Sequence, residues 1–161
     1  MKISDDILID RHTYEIVLHD VVKHLPQRTR GIFAATRPEG PAEKCFYFDS
    51  NIKNRPEWKP LFQSYSDPHL VSGDGGFVVD PVEQVSLWRQ MAGNNLTPVG
   101  LFHTHRILPA VFTKIDRDLH LDFALWHMIV SVRGESGPEV RAFRILPHEV
   151  RPAKIVLVTS M

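Results

Sequence analysis

The feature that most constrains the fold is an apolar run that ends in two histidines. Residues 98–105 (PVGLFHTH) are apolar nearly throughout until His103 and His105. An apolar run without clear alternation is typical of a strand buried on both faces, so we predict a central strand here. Because the histidines are two residues apart, both imidazoles point to one face of that strand, and Thr104 points to the other.

A carboxylate follows this strand at a distance that allows a three-ligand site. Asp116 lies eleven residues after His105, and a loop of that length can return the chain to the imidazoles. Two histidines and one carboxylate leave a fourth tetrahedral position open, as catalytic zinc requires. Such a zinc lowers the pKa of its water to about 7 and polarises a carbonyl, which makes amide hydrolysis accessible. Ordinary polar residues at a strand end are the alternative.

The other histidines are single and scattered, and scattered histidines are usually solvated or hydrogen-bonded. They are His12, His19, His24, His69, His120, His127 and His148. Only the pair at the end of the central strand is spaced like metal ligands.

Periodicity and turn residues predict the elements around the central strand. We predict helices over residues 11–25, from Pro81 to Gly93 and over 113–124. The last helix has Thr113 as its N-cap and Asp116 at position N3, as an acidic variant of the capping box. We also predict a hairpin of residues 31–36 and 44–49, and strands over 77–80, 126–133, 140–145 and 154–159. Residues 50–76 are predicted to form an ordered insertion or lid loop, since a loop this long is usually functional or disordered. The order predicts a mixed α/β (α+β) fold with one main sheet and helices packed against it.

Composition limits the organisation and the partners of the chain. A length of 161 residues fits a single domain, which we place at residues 1–161. The 19 basic and 19 acidic residues balance, with no long basic run, so no nucleic-acid partner is expected. The only cysteine is Cys45, and we find no signal-peptide pattern of a positive charge followed by an apolar stretch in the first residues. No apolar run reaches the roughly 20 residues that span a bilayer. We therefore expect a cytoplasmic protein that does not enter membranes.

Residues 99–116 (VGLFHTHRILPAVFTKID) resemble the signature of the JAB1/MPN/Mov34 (JAMM) zinc metalloprotease family. That signature is His-x-His, ten residues and then Asp, with Ser or Thr three residues before the Asp, which is Thr113 here. The elements around this signature are similar too. Asp80 and Pro81 open a helix before it, residues 128–131 follow it as a strand, and residues 141–143 come after a turn. The resemblance covers about residues 8–145.

The resemblance implies a mixed central sheet with helices against it, in the MPN/JAMM-like (cytidine deaminase-like) architecture of a small bacterial-type single-domain member. It implies one zinc ion, Zn²⁺, bound by His103, His105 and Asp116. It also implies that the hydroxyl of Thr113 steadies the oxyanion of the reaction, although capping of the helix is an equally compatible role. The proline that usually follows the second histidine is replaced by Arg106.

The general base of the family is missing from its expected position. Family members carry a glutamate in a Pro-x-Glu-x-x-Gly run, and the corresponding run here is residues 26–31 (PQRTRG), which places Arg28 at the glutamate's position. Arginine stays protonated and cannot accept a proton from water. A shift of one residue would present Gln27 or Thr29, and neither is an adequate base.

Several consequences of this replacement remain open. Loss of a general base costs about 100- to 10,000-fold in rate, which leaves a slow enzyme rather than an inactive one. Another carboxylate can substitute, and the candidates are Asp49, Asp80 and Glu83. Arg28 can instead hold a substrate carboxylate by a bidentate contact, or can simply be a solvated residue at the start of a strand.

Two functions of different classes follow. By resemblance, the chain is a zinc-dependent peptidase or isopeptidase that acts at the C-terminal tail of a ubiquitin-like or sulfur-carrier protein, with residues 50–76 clamping the extended tail by strand addition. Alternatively, it is a catalytically silent MPN-like domain that serves as a metal-binding protein-interaction module, as the missing glutamate suggests. An unrelated metal-dependent hydrolase is a third option.

Overall fold

The computed structural model describes residues 5–65 and 76–159. Its longer elements are, in chain order, β1 (Ile7–Asp10), α1 (Arg11–Lys23), β2 (Arg30–Ala35), β3 (Lys44–Tyr47), α2 (Lys59–Gln63), α3 (Pro81–Gly93), β4 (Thr97–His105), α4 (Lys114–Leu119), β5 (Trp126–Ser131), β6 (Glu139–Ile145), β7 (Val150–Ala153) and β8 (Ile155–Val158). Two 3₁₀ turns, Ile52–Asn54 and Pro56–Trp58, precede α2. The predicted mixed α/β fold is confirmed.

The main sheet has six strands in the order β3-β2-β4-β5-β6-β7. The β4 strand is internal, as predicted, and it pairs antiparallel with β2 and parallel with β5. The β2–β3 hairpin is also confirmed. Close packing of the sheet requires Gly100, since a Cβ there would lie 2.2 Å from the indole of Trp126 on β5.

Helices cover both faces of this sheet. The α1 helix buries Val17 and Val21 against Phe33 and Phe102, in a core that also contains the small parallel sheet of β1 and β8. On the opposite face, α3 buries Leu87 and Met91. Successive residues of a strand point to opposite faces, so Leu101, His103 and His105 lie on the α3 side of β4. The functional side chains therefore project from the C-terminal end of β4.

Three predicted elements differ from the structure. Residues 77–80 are not a strand, because their backbone bonds to the start of the insertion: Val78 donates to the Asn51 side chain and accepts from the Ile52 amide. The helix predicted over 113–124 ends at Leu119, where the chain turns at His120. The last predicted strand, 154–159, is Ile155–Val158, which pairs with β1 rather than with the main sheet.

The structure adds β1 and β7, which the sequence did not predict, and it describes residues 50–65 of the predicted insertion. Residues 50–65 form the two 3₁₀ turns and α2, so this part is ordered rather than an irregular loop. Residues 66–75 of the predicted insertion lie outside the described residues. The single-domain assignment of residues 1–161 stays a prediction. Within the described ranges, no helix has the length and apolar character needed to cross a bilayer.

Candidate metal centre

The two histidines of β4 are buried side by side, as their spacing predicts. His103 is 4% exposed and His105 is fully buried. Thr104 points to the other face, where its hydroxyl donates to the carbonyl of Thr29 at 2.7 Å. Because β2 and β5 flank β4 on both sides, the backbone that carries the imidazoles is fixed by two ladders of hydrogen bonds.

Asp116 is delivered to the imidazoles by the first turn of α4. Its amide donates to Thr113 Oγ1 at 3.2 Å, and its Oδ2 accepts from the Thr113 amide at 3.2 Å, which completes the capping box that the sequence predicted. Its Oδ1 accepts from the Gly76 amide at 3.1 Å. The role of Thr113 as helix cap is therefore observed, and its role toward an oxyanion stays a prediction.

The three side chains converge through their polar atoms and form what we call the His-His-Asp cluster. The Nε2 atoms of His103 and His105 lie 3.0 Å apart. They lie 3.4 Å and 3.5 Å from Oδ1 and Oδ2 of Asp116, respectively. Burial alone would raise the pKa of Asp116, but the adjacent His103 and His105 outweigh it and hold that pKa well below its usual range. Asp116 is thus an ionised carboxylate.

The tautomer of His105 follows from its second ring nitrogen. The Nδ1 atom lies 2.9 Å from the carbonyl oxygen of Pro109. A carbonyl only accepts hydrogen bonds, so Nδ1 carries the hydrogen. In the neutral ring the lone pair is then on Nε2, which faces the cluster.

A chain of three imidazoles sets the tautomer of His103 in the same way. At its far end, His120 Nε2 lies 2.8 Å and 2.9 Å from the carbonyl oxygens of Asp122 and Leu125, so Nε2 must donate. His120 Nδ1 therefore accepts from His127 Nδ1 at 3.0 Å, and His127 Nε2 accepts from His103 Nδ1 at 2.7 Å. Burial lowers the pKa of both His120 and His127, which keeps the two rings neutral.

Both histidines of the cluster consequently point Nε2, the ring nitrogen that coordinates a metal when the ring is neutral, toward the Asp116 carboxylate. The three ligand atoms lie within 4.8 Å of one another, so their negative ends repel unless a cation, either a proton or a metal ion, lies among them. Two imidazole nitrogens and one carboxylate oxygen are suitable ligands for a divalent metal such as zinc, and they leave one tetrahedral position open. The buried residues that the sequence selected therefore fit a metal ion.

A cavity of about 380 Å³ borders the cluster, and we call it the apolar cavity. His103, Asp116 and His127 form part of its wall, and most of the remaining wall is apolar. Trp58 and Leu61 of the predicted insertion also line it. Any molecule in this cavity therefore adjoins His103 and Asp116 of the cluster.

Arg28 contributes to a hollow that reaches one member of the His-His-Asp cluster. It precedes β2, whose first residue, Arg30, pairs with His103. Together with His103, Thr104 and Phe77, Arg28 lines a small hollow. The assignment of Arg28 to the sequence position of the family's glutamate stays a prediction.

The carboxylates considered as replacements for the glutamate have other contacts. Glu83 accepts from the backbone amides of Asp49 and Ser50. Asp80 caps α3 through the Val82 amide at 3.0 Å and pairs with Arg55 at 3.2 Å. Asp49, Asp80 and Glu83 are absent from the described wall of the apolar cavity, whereas Asp118 and Asp122 are present there.

His120 and His127 were missed by the sequence analysis, which grouped them with the scattered histidines. His127 lies on β5 opposite Leu101, on the same face of the sheet as His103. His120 follows the last turn of α4. The position of His127 on the strand after the signature could have indicated a role near the cluster. The strand register that brings His127 against His103 cannot be predicted from residue spacing alone.

The contact between His103 and His127 predicts a measurable change in metal affinity. His127→Phe keeps a ring but removes the acceptor for His103 Nδ1–H, so we expect zinc affinity to fall about 10- to 100-fold in chelator competition. His127→Gln retains a carbonyl acceptor and should recover part of the loss. The exposed His19 supplies the control His19→Phe. Equal affinity of His127→Phe and wild type would contradict the assigned hydrogen bond.

Comparison with known proteins agrees with this fold. A family model described as prokaryotic homologs of the JAB domain matches residues 27–146. No match was found among curated proteins. A solved structure from Desulfitobacterium hafniense is similar with a TM-score of 0.71 and 23% identity, over 96% of this chain and 94% of that one.

Two further structures share the fold at lower similarity. A protein from Salinibacter ruber has a TM-score of 0.56 and 19% identity, over 94% of this chain and 91% of that one. A JAB1/MPN domain protein from Archaeoglobus fulgidus has a TM-score of 0.51 and 12% identity, over 93% of this chain and 99% of that one. At these identities the likeness concerns the fold alone.

Proposed function

Because the chain belongs to the prokaryotic homologs of the JAB domain, we propose that it is a zinc-dependent metallopeptidase or isopeptidase. In this proposal it hydrolyses a peptide or isopeptide bond at the C-terminal tail of a ubiquitin-like or sulfur-carrier protein in the cytoplasm. The observation that carries the proposal is the buried His-His-Asp cluster, in which both Nε2 atoms face the Asp116 carboxylate.

The ligands and their partners would give the site its geometry. His103, His105 and Asp116 would hold the metal, and Pro109, His127, Gly76 and Thr113 would fix the orientation of those three side chains. A zinc ion bound there would lower the pKa of a water ligand to about 7 and polarise the substrate carbonyl. Thr113 keeps the hydroxyl that the family uses toward the oxyanion, and the apolar cavity would limit water around the bond.

The part of the insertion that contacts the cavity supports a role in substrate binding. Trp58 and Leu61 belong to residues 50–65 and line the apolar cavity beside the cluster. A substrate segment lying next to the metal would contact both side chains. We therefore assign this part of the chain to holding the tail of the carrier protein.

A second function is favoured by one observation, the presence of Arg28 in the hollow beside His103. Arginine cannot act as a general base, and a domain without a base can keep the metal and the fold while serving as a protein-interaction module. The two functions differ in turnover, because the module would bind a carrier protein without cleaving it.

The experiment combines zinc stoichiometry with cleavage of a carrier protein that bears a C-terminal extension. We expect one zinc per chain and slow release of the extension by the wild type, and loss of both in His103→Ala. His19→Ala, on the exposed face of α1, should behave like the wild type. Zinc-free wild type, or cleavage that His103→Ala leaves unchanged, would rule out the peptidase. Zinc binding without cleavage, at any enzyme concentration, would favour the module.

A further inference from the structure

The apolar cavity is formed by several separate elements of the chain and extends to the His-His-Asp cluster. Its aromatic walls come from three parts of the chain: Phe48 after β3, Trp58 in the insertion, and Phe77 and Trp88 before and within α3. Leu101 of β4 lies two residues before His103 and completes the wall on the sheet side. The cavity is therefore continuous with the cluster, and a group in it would be attached close to the bond at the metal.

The walls also limit the charge of the occupant. Among the described residues that line the cavity there is no lysine or arginine, while Asp118 and Asp122 stand near Asp116. The Tyr65 hydroxyl donates to the Asp118 carboxylate, and Asp122 Oδ1 accepts from the Ala124 amide, so both acids have fixed positions. When Asp116 binds the metal, Asp118 and Asp122 remain as two carboxylates of the wall that repel a negatively charged group, and no described lysine or arginine of the wall offsets them.

We propose that this cavity is a specificity site for a bulky apolar side chain, without negative charge, on a residue directly flanking the bond that is hydrolysed. The proposal rests on the proposed function. It restricts the substrates of the enzyme to tails or extensions that carry an aromatic or large aliphatic residue next to the hydrolysed bond. The cavity volume of about 380 Å³ is within the range of small-ligand sites, and its mostly apolar wall matches such a group. A glycine there would leave apolar wall exposed to water.

The size of the preference follows from the area that the side chain removes from water. Full burial of a leucine or phenylalanine side chain stabilises its complex enough to change binding about 10- to 100-fold relative to glycine. We expect this ratio between phenylalanine and glycine probes in kcat/KM. A glutamate probe should fall below glycine because of Asp118 and Asp122.

The test uses internally quenched peptides that are identical except for glycine, leucine, phenylalanine or glutamate next to the cleaved bond, with products identified by mass spectrometry. Gln84→Trp places an indole at the exposed mouth of the cavity. We expect this variant to lower kcat/KM for the phenylalanine peptide at least 10-fold and to change kcat/KM for the glycine peptide less than about 2-fold. Its matched control is Val85→Trp, one residue along the same helix, where the side chain is 50% exposed. The control should leave both peptides unchanged.

Binding is measured separately so that the site can be judged without turnover. Titration of zinc-loaded protein with N-acetylphenylalanine amide should shift the indole NMR signals of Trp58 and Trp88 in the wild type, and N-acetylglutamate amide should not. If no peptide is cleaved but this selective shift occurs, the peptidase proposal fails and the cavity proposal stands. Equal kcat/KM for glycine and phenylalanine peptides, or equal loss of both in Gln84→Trp, would overturn the cavity proposal.

Discussion

Asp116→Asn is expected to abolish stoichiometric zinc binding. The substitution keeps the shape of the side chain, but it replaces the ionised carboxylate with a neutral amide among two imidazole lone pairs. The remaining amide oxygen is neutral and therefore a weaker ligand than the carboxylate, and the amide nitrogen is a donor that cannot coordinate a cation. Zinc per chain, measured after dialysis against a weak chelator, should fall from one equivalent to background.

The matched control for this experiment is Asp118→Asn, which changes the same functional group in the same helix but outside the cluster. Its zinc content should equal that of the wild type. Circular dichroism of both variants verifies that α4 is retained, since the Asn side chain at 116 can still accept from the Thr113 amide. Full zinc content in Asp116→Asn would show that the metal is held elsewhere, and the assignment of the cluster would then be wrong.

Arg28→Glu is expected to raise the rate of tail cleavage by about 100-fold or more. The family's base is a glutamate at this position, and Arg28 lines the hollow that also contains His103. A carboxylate there can accept a proton, and general base catalysis contributes about 100- to 10,000-fold. The measurement is kcat for a carrier protein with a C-terminal extension, at equal zinc content for both proteins.

Arg28→Gln separates the two effects of the substitution, because it removes the positive charge without supplying a base. If the rate rises only in Arg28→Glu, the wild type lacks a base at this position. If both variants are slower than the wild type and KM rises, Arg28 instead binds an anionic part of the substrate. That result would contradict the interpretation of Arg28 as a lost base and would assign it to substrate recognition.

The central strand and the three clustered side chains were predictable because they depend on local pattern. An apolar run that is buried on both faces predicts β4, and the period of two in a strand places His103 and His105 on one face. The capping box predicts that Thr113 and Asp116 open a helix, and α4 begins there. The fold class followed from the order of these elements and from the resemblance of residues 99–116 to a known signature.

The features that were missed depend on contacts between distant parts of the chain. The imidazole chain needs the register of β5 against β4, which places His127 beside His103, and it needs the early end of α4 at His120. The β1–β8 pairing joins residues near the two ends of the described chain. Residues 77–80 have the composition of a strand, but their backbone partners are Asn51 and Ile52 of the insertion, and propensity does not identify such partners.

The donor set of the cluster has a consequence for which metal the protein contains when it is isolated. Cys45 lies on β3, where burial raises the pKa of its thiol, and it is not a member of the cluster. The ligands of the cluster are two imidazoles and one carboxylate, without a thiolate. The affinity of such a site for divalent metals generally rises from cobalt to nickel to copper, and copper binds more tightly than zinc. The ion found in the isolated protein would then depend on the metal supply as well as on these ligands. Protein produced in cobalt-supplemented medium should carry cobalt at this site, with a visible spectrum that lacks a thiolate charge-transfer band.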